Sequence, residues 1–180
     1  MIDPAILWLG SLALGALFVG SAAHKLRDLA SFRAAMAGYR LLPGPLLPVA
    51  APALALAEAV IGAATLATFF APDTGRIALI AAAAMLLGYA LAIAINMARG
   101  NSAIDCGCFG FGARGPGLRG AMIARNIALA ALALPAVMPL APRQLLWLDF
   151  VTLLAGLAVL ALLHAAIDLA LNLPRKEHQA

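Results

Sequence analysis

The chain has 180 residues, of which 64% are hydrophobic and 11% charged, with a formal net charge of +4. A soluble domain carries about 25% charged residues, and the 12 basic and 8 acidic side chains here cannot cover a globule of this size. Together with a mean hydropathy of +0.99, this excludes a water-soluble domain, a disordered chain, a coiled coil and a disulfide-stapled secreted domain. The composition is that of an all-α, multi-pass integral membrane protein, in which basic residues report loop sidedness rather than nucleic-acid binding.

A helix needs about 20 apolar residues to cross the hydrocarbon of a bilayer. Residues 5–23 meet this without a charge. Ser21-Ala22-Ala23 resembles a signal-peptidase site, yet only Asp3 precedes the apolar run, where a signal peptide carries a basic region. An uncleaved span is predicted. From His24 to Leu42, the residues Leu29, Phe32, Met36 and Tyr39 alternate with Lys25, Arg27, Arg33 and Arg40. That spacing predicts an amphipathic interfacial helix over 26–42, stopped by Pro43-Gly44-Pro45.

Residues 46–71 form the second predicted span, with Glu58 as its single acid and a kink expected at Pro52. Residues 77–97 form an uncharged third span, and 121–138 a fourth interrupted only by Arg125. Residues 145–173 form a fifth, carrying Asp149, His164 and Asp168. A count of four would follow if the last two were one unit broken around Pro135, Pro139 and Pro142. Gly10, Gly15, Gly20, Gly62 and Gly88 are expected to permit close helix packing.

The connection at 99–120 is the long polar loop. Six of residues 101–120 are glycine, and both cysteines of the chain lie there, as Cys106-Gly-Cys108. A redox dithiol is one reading, because a small, strained disulfide ring exchanges readily. Asp105 disfavours a thiolate, while Arg99, Arg114 and the helix start that follows favour one. A pair of inert buried or palmitoylated thiols is a second reading. Half of a zinc site is a third, with further ligands drawn from His24, His164 or Asp105.

Alternating helix directions bring His24, Lys25, Asn96, Arg125, Asn126, His164 and Asp168 to the membrane face that carries the cysteines. Ionisable groups inside a bilayer are costly unless paired and mark working sites. Arg125 is therefore expected to pair with Asp168 or Glu58, as a structural tie between helices or as part of a proton or quinone site. His164 and Asp168, four residues apart, share a helix face. The loops on the cysteine side hold nine basic residues (Lys25, Arg27, Arg33, Arg40, Arg99, Arg114, Arg119, Arg175, Lys176), and the other side holds only Arg76 and Arg143. By the positive-inside rule the cysteine side is cytoplasmic.

The segments Gly20-Ser-Ala-Ala-His24-Lys25-Leu26, Phe32, Tyr39-Arg-Leu-Leu-Pro43, Asp105-Cys-Gly-Cys-Phe-Gly110 and Arg125-Asn126 resemble the methylamine utilisation protein MauE family, within the broader DoxX-like group of small membrane proteins. The resemblance spans about residues 5–140, and Cys106-Gly-Cys-Phe-Gly110 between two spans is its most specific part. It implies a four-helix DoxX-like bundle, here followed by a fifth C-terminal span, in the bacterial inner (plasma) membrane. It implies a thiol–disulfide oxidoreductase component that helps mature the disulfide-rich, periplasmic β subunit of methylamine dehydrogenase. The implied partner is a membrane-anchored thioredoxin-like protein, MauD.

On this resemblance Cys106 and Cys108 are the exchanging pair. Beside that pair, the helix alternation leads us to expect Arg125, Asn126, His164, Asp168, Glu58 and His24 as a supporting polar cluster, with Phe109 and Phe111 expected as partner contacts. No metal is expected, and a membrane quinone reached by Arg125 and His164 is the acceptor that reoxidation would call for. The competing class is a non-catalytic anchor or assembly factor for a thioredoxin-like protein. A small-solute transporter is disfavoured, since the chain shows no inverted repeat. A periplasmic client wants the cysteine loop outside, which opposes the charge pattern.

Overall fold

A computed structural model describes residues 1–101, 120–144 and 146–172. Its helices are α1 (Pro4–Arg27), α2 (Leu29–Tyr39), α3 (Leu47–Leu66), α4 (Pro72–Ala98), α5 (Gly120–Ala131) and α6 (Trp147–Asn172). Short 3-10 turns at Gly44–Leu46, Ala67–Phe69 and Leu134–Val137 extend α3 at both ends and follow α5. Five helical stretches are long and apolar enough to span a membrane: Pro4–Arg27, Gly44–Phe69, Pro72–Ala98, Gly120–Val137 and Trp147–Ala170. Among the described residues, β structure is limited to an isolated bridge between Ile2 and Leu140.

The boundaries depart from the sequence reading where polar groups find partners. The first helix runs on through His24 and Lys25 to Arg27, because Lys25 is neutralised in the bundle instead of waiting at the interface. The fourth helix of the chain starts at Pro72, five residues before the uncharged run, with the proline preset for a first turn. Arg76 in that turn donates to the carbonyls of Ala136 and Met138, at 2.8 Å each. The expected 121–138 helix breaks after Ala131, where Pro135 removes a backbone donor and the chain tightens into a 3-10 turn.

The amphipathic segment is shorter than expected. Asp28 caps α2 by accepting from the Ser31 backbone N–H at 3.0 Å. That bond, and then the Ser31 hydroxyl, hold the Asp28 carboxyl below its ordinary pKa. The helix ends before the proline cluster, with Arg40 in the left-handed conformation at φ 50°.

The core lies between α1, α3, α4 and α5. α1 packs most extensively on α3, and α4 on α5. Leu7, Leu14 and Phe18 of α1 meet Leu79, Ala82 and Leu86 of α4 and Ala130 and Ala133 near α5. Close approach depends on Gly62 of α3, where a Cβ would stand 2.9 Å from the Val19 backbone nitrogen. Gly10 and Gly15 are likewise pressed by Leu132 and Leu66, whereas Gly88 faces open space and plays no packing part. α6 leans chiefly on α1 and leaves most of its apolar circumference outward, as lipid contact allows.

Candidate functional site

The buried stripe of α1 runs Leu7, Ser11, Leu14, Phe18, Ala22 and Lys25, at intervals of three or four residues. Helical period alone therefore carries the Lys25 side chain into the bundle. The matching stripe on α3 is Ala51, Ala55, Glu58, Gly62 and Thr65. The two charged members meet: Lys25 Nζ donates to Glu58 Oε1, with side-chain exposures of 3% and 1%.

Glu58 is held by two further donors. The Tyr89 hydroxyl from α4 donates to the same Oε1, and the Ser21 hydroxyl donates to Oε2 at 3.0 Å. Three donors from two helices therefore share the two oxygens of this side chain. The Lys25 ammonium also lies over two rings, 4.8 Å from the centroid of Phe32 and 4.9 Å from that of Tyr89. Cation–π contact adds to the pairing when the cation is out of water. Donors from α1 and α4 thus converge on a carboxylate of α3, and α2 reaches the Lys25 that pairs with it.

A second polar group faces the first. Arg125 of α5 donates through Nη1 to Asp168 Oδ1 of α6, and His164 Nε2 is 3.5 Å from Asp168 Oδ2. Asn126 is 3% exposed, and its Nδ2 has no hydrogen-bond partner among the described residues. A cavity of about 40 Å³ separates the two groups, walled by Ser21, Lys25, Glu58 and Tyr89 on one side and Arg125, Asn126, His164 and Asp168 on the other. It has room for a few water molecules, which suits the orphaned amide.

Lys25 and Tyr89 also border a larger, apolar chamber of about 140 Å³ beneath α2. Phe32, Met36 and Tyr39 of α2 roof it, and Ala92 and Ile93 of α4 form its floor. Asn101 Nδ2 fixes the chain near this end by donating to the Gly38 carbonyl at 3.2 Å and to Asn96 Oδ1 at 3.0 Å.

Of the residues singled out from the sequence, Glu58, Arg125, Asn126, His164 and Asp168 line one cavity. Arg125 takes Asp168 as its partner, while Glu58 is taken by Lys25. His24 is exposed and lines neither space, because one residue further along a helix turns the side chain by about 100°. Its neighbour Lys25 fills the role instead. Cys106, Cys108, Phe109 and Phe111 lie outside the described residues. Sequence reasoning placed Lys25 at the right face without pairing it, and passed over Ser21 and Tyr89. The signal for Lys25 was present in the four-residue spacing of Ser21 and Lys25 and in a mid-span acid that needs a cation.

The sequence profile described as "Methylamine utilisation protein MauE" matches residues 3–141. A methylamine utilization protein MauE of Paracoccus denitrificans is 39% identical over 134 residues, covering 74% of this chain and 69% of the relative. The protein of that name from Methylophilus methylotrophus is 31% identical over 178 residues, covering 98% and 92%. That from Paracoccus versutus is 36% identical over 176 residues, covering 97% and 91%. These two longer alignments take in α6, which the profile leaves out. No solved structure matches the chain. The chain belongs to the methylamine utilisation protein MauE family.

Proposed function

We propose that the chain is a membrane thiol–disulfide exchange protein that supports maturation of a disulfide-rich client, the β subunit of methylamine dehydrogenase, together with a thioredoxin-like partner of the MauD kind. The observation that carries this is the pair Cys106-Gly-Cys108, both cysteines of the chain, in the segment joining α4 to α5. That segment begins and ends at the bundle end toward which Lys25, Arg125 and Asp168 lie. A partner thiolate attacks one sulfur of the Cys106–Cys108 disulfide and forms a mixed disulfide. A second partner thiolate then closes the partner's disulfide and releases Cys106 and Cys108 as the dithiol. Phe109 and Phe111 give the partner an apolar contact beside the sulfurs.

The test is Cys106→Ser with Cys108→Ser, scored by the amount of correctly disulfide-bonded client at matched levels of the membrane protein. Loss of mature client is expected. Full maturation in the double variant, with failure instead in Phe109→Ala and Phe111→Ala, would make the chain a non-catalytic anchor. Labelling both cysteines in intact cells with a membrane-impermeant maleimide, before and after reduction, reads sidedness and redox state together. A periplasmic client calls for labelling from outside after reduction; labelling only in lysed cells moves the exchange to a cytoplasmic reductant.

A further inference from the structure

The apolar chamber under α2 has a size, a wall and a polar end that together select a ligand. Its volume of about 140 Å³ is that of a single six-membered ring, since an apolar cavity of about 150 Å³ takes up benzene. Four fused rings of a sterol are too large for it. Phe32, Tyr39 and Tyr89 supply ring faces and edges for an aromatic or quinoid plane. Leu41 and Leu42, 39% and 42% exposed, stand at its outer lip, where a hydrocarbon tail would leave for the bilayer.

The inner end is not apolar. Lys25 is 3% exposed and has three N–H donors. The one hydrogen-bond acceptor it meets among the described residues is Glu58 Oε1; its other close neighbours are the Phe32 and Tyr89 rings on the chamber side. A buried ammonium that borders an apolar chamber and has a single hydrogen-bond acceptor among the described residues is suited to a carbonyl oxygen. A saturated acyl chain would use none of this.

We propose that this chamber binds the head of a lipid-soluble quinone, with Lys25 donating to one carbonyl oxygen and the Tyr89–Glu58 pair behind it. The site deepens, and for its chemistry rests on, the dithiol reading above. There, the Cys106–Cys108 dithiol closes to the disulfide, giving up two electrons and two protons. The quinone takes up the same two electrons and two protons and leaves as the quinol, so the pair is ready for another client. Lys25 stabilises the charge growing on the quinone oxygen, and the polar cavity beyond Glu58 gives protons a route to it.

The probe is a decyl-tailed para-benzoquinone, titrated by equilibrium dialysis against the full chain in lipid nanodiscs. Saturable binding of one quinone per chain is expected. Ala35→Phe, which fills the chamber from α2 without touching the ion pair, should weaken binding about tenfold or more. Lys25→Met combined with Glu58→Leu should weaken the quinone as strongly and leave binding of decylbenzene, which has no carbonyl, within about twofold. Unchanged quinone affinity in both variants overturns the site, as does equal displacement by decanol, which would mark an acyl-chain pocket. Cys106→Ser with Cys108→Ser should bind quinone as the native chain does. Loss of maturation in that variant, with no quinone bound by the native chain, would leave the dithiol reading standing and end this one.

Discussion

Lys25 of α1 and Glu58 of α3, separated by 33 residues in sequence, form an ion pair with side-chain exposures of 3% and 1%. Such a pair is weak evidence for net stability, because desolvation opposes the attraction, yet breaking it from one side is expensive. Lys25→Met or Glu58→Leu alone should cost about 3–5 kcal/mol, by leaving one buried charge without its partner. The double variant should recover most of that loss. Thermal unfolding in detergent, followed by tryptophan fluorescence, measures all three. Strictly additive losses would mean that the two charges do not stabilise one another.

Tyr89 divides the two spaces and holds Glu58 through its hydroxyl. Tyr89→Phe keeps the ring over the Lys25 ammonium and removes only the donor. Hydrogen bonds to charged groups contribute about 1.5–3 kcal/mol, so a loss of that size is expected. Ser21→Ala removes the donor to the other oxygen of the same carboxylate and should cost a similar amount. The same unfolding assay measures both, and an unchanged stability in either variant would contradict the arrangement.

The elements most legible in the sequence were those set by hydropathy over long runs. Five spans follow from long apolar stretches that carry few charges, and their existence depends on little else. Their ends were less legible, because they depend on tertiary partners: Lys25 extends α1 only because Glu58 lies across from it, and Arg76 enters α4 only because two carbonyls of a later turn accept from it. The Arg125–Asp168 pair was readable as one of two choices, and the choice turned on Lys25 already occupying Glu58. Tyr89 gave no local signal. A tyrosine in an apolar helix looks like any lipid-facing aromatic until its hydroxyl is placed against an acid.

Gly62 marks where α1 and α3 approach most closely. A methyl group there would stand 2.9 Å from both the Val19 backbone nitrogen and its Cγ2. Gly62→Ala should therefore cost about 1–3 kcal/mol through overpacking and loosen the Lys25–Glu58 contact one turn away. Gly88 is the control, since nothing lies within 4 Å of its added carbon. Gly88→Ala should be neutral or stabilising, by up to about 1 kcal/mol of helix propensity. Equal destabilisation by the two changes would show that helix packing does not need the glycine.

The opposite end of the bundle is tied by charge. Arg143, in the connection before α6, donates to both carboxylate oxygens of Asp3 at 2.9 Å and to both of Asp149, at 2.9 and 2.7 Å. It thereby joins the cap of α1 to the start of α6. Asp3 accepts first from the Ala5 backbone N–H at 2.9 Å and then from Arg143, and both hold its carboxyl below the ordinary value of 3.8. A group whose pKa is lower folded than unfolded stabilises the fold above its unfolded value and loses that effect as pH falls through the folded one. The contribution of Asp3 should therefore be constant near neutrality, begin to fall at about pH 4 and be lost as pH drops through the lowered folded value. Both groups are solvent-exposed, so the effect should shrink in high salt. Asp3→Asn keeps a capping side chain but has no proton to gain. Its unfolding midpoint should fall less steeply between about pH 5 and pH 3 than that of the native chain. Parallel acid profiles for the two would mean that Asp3 carries no pH-dependent share of this tie.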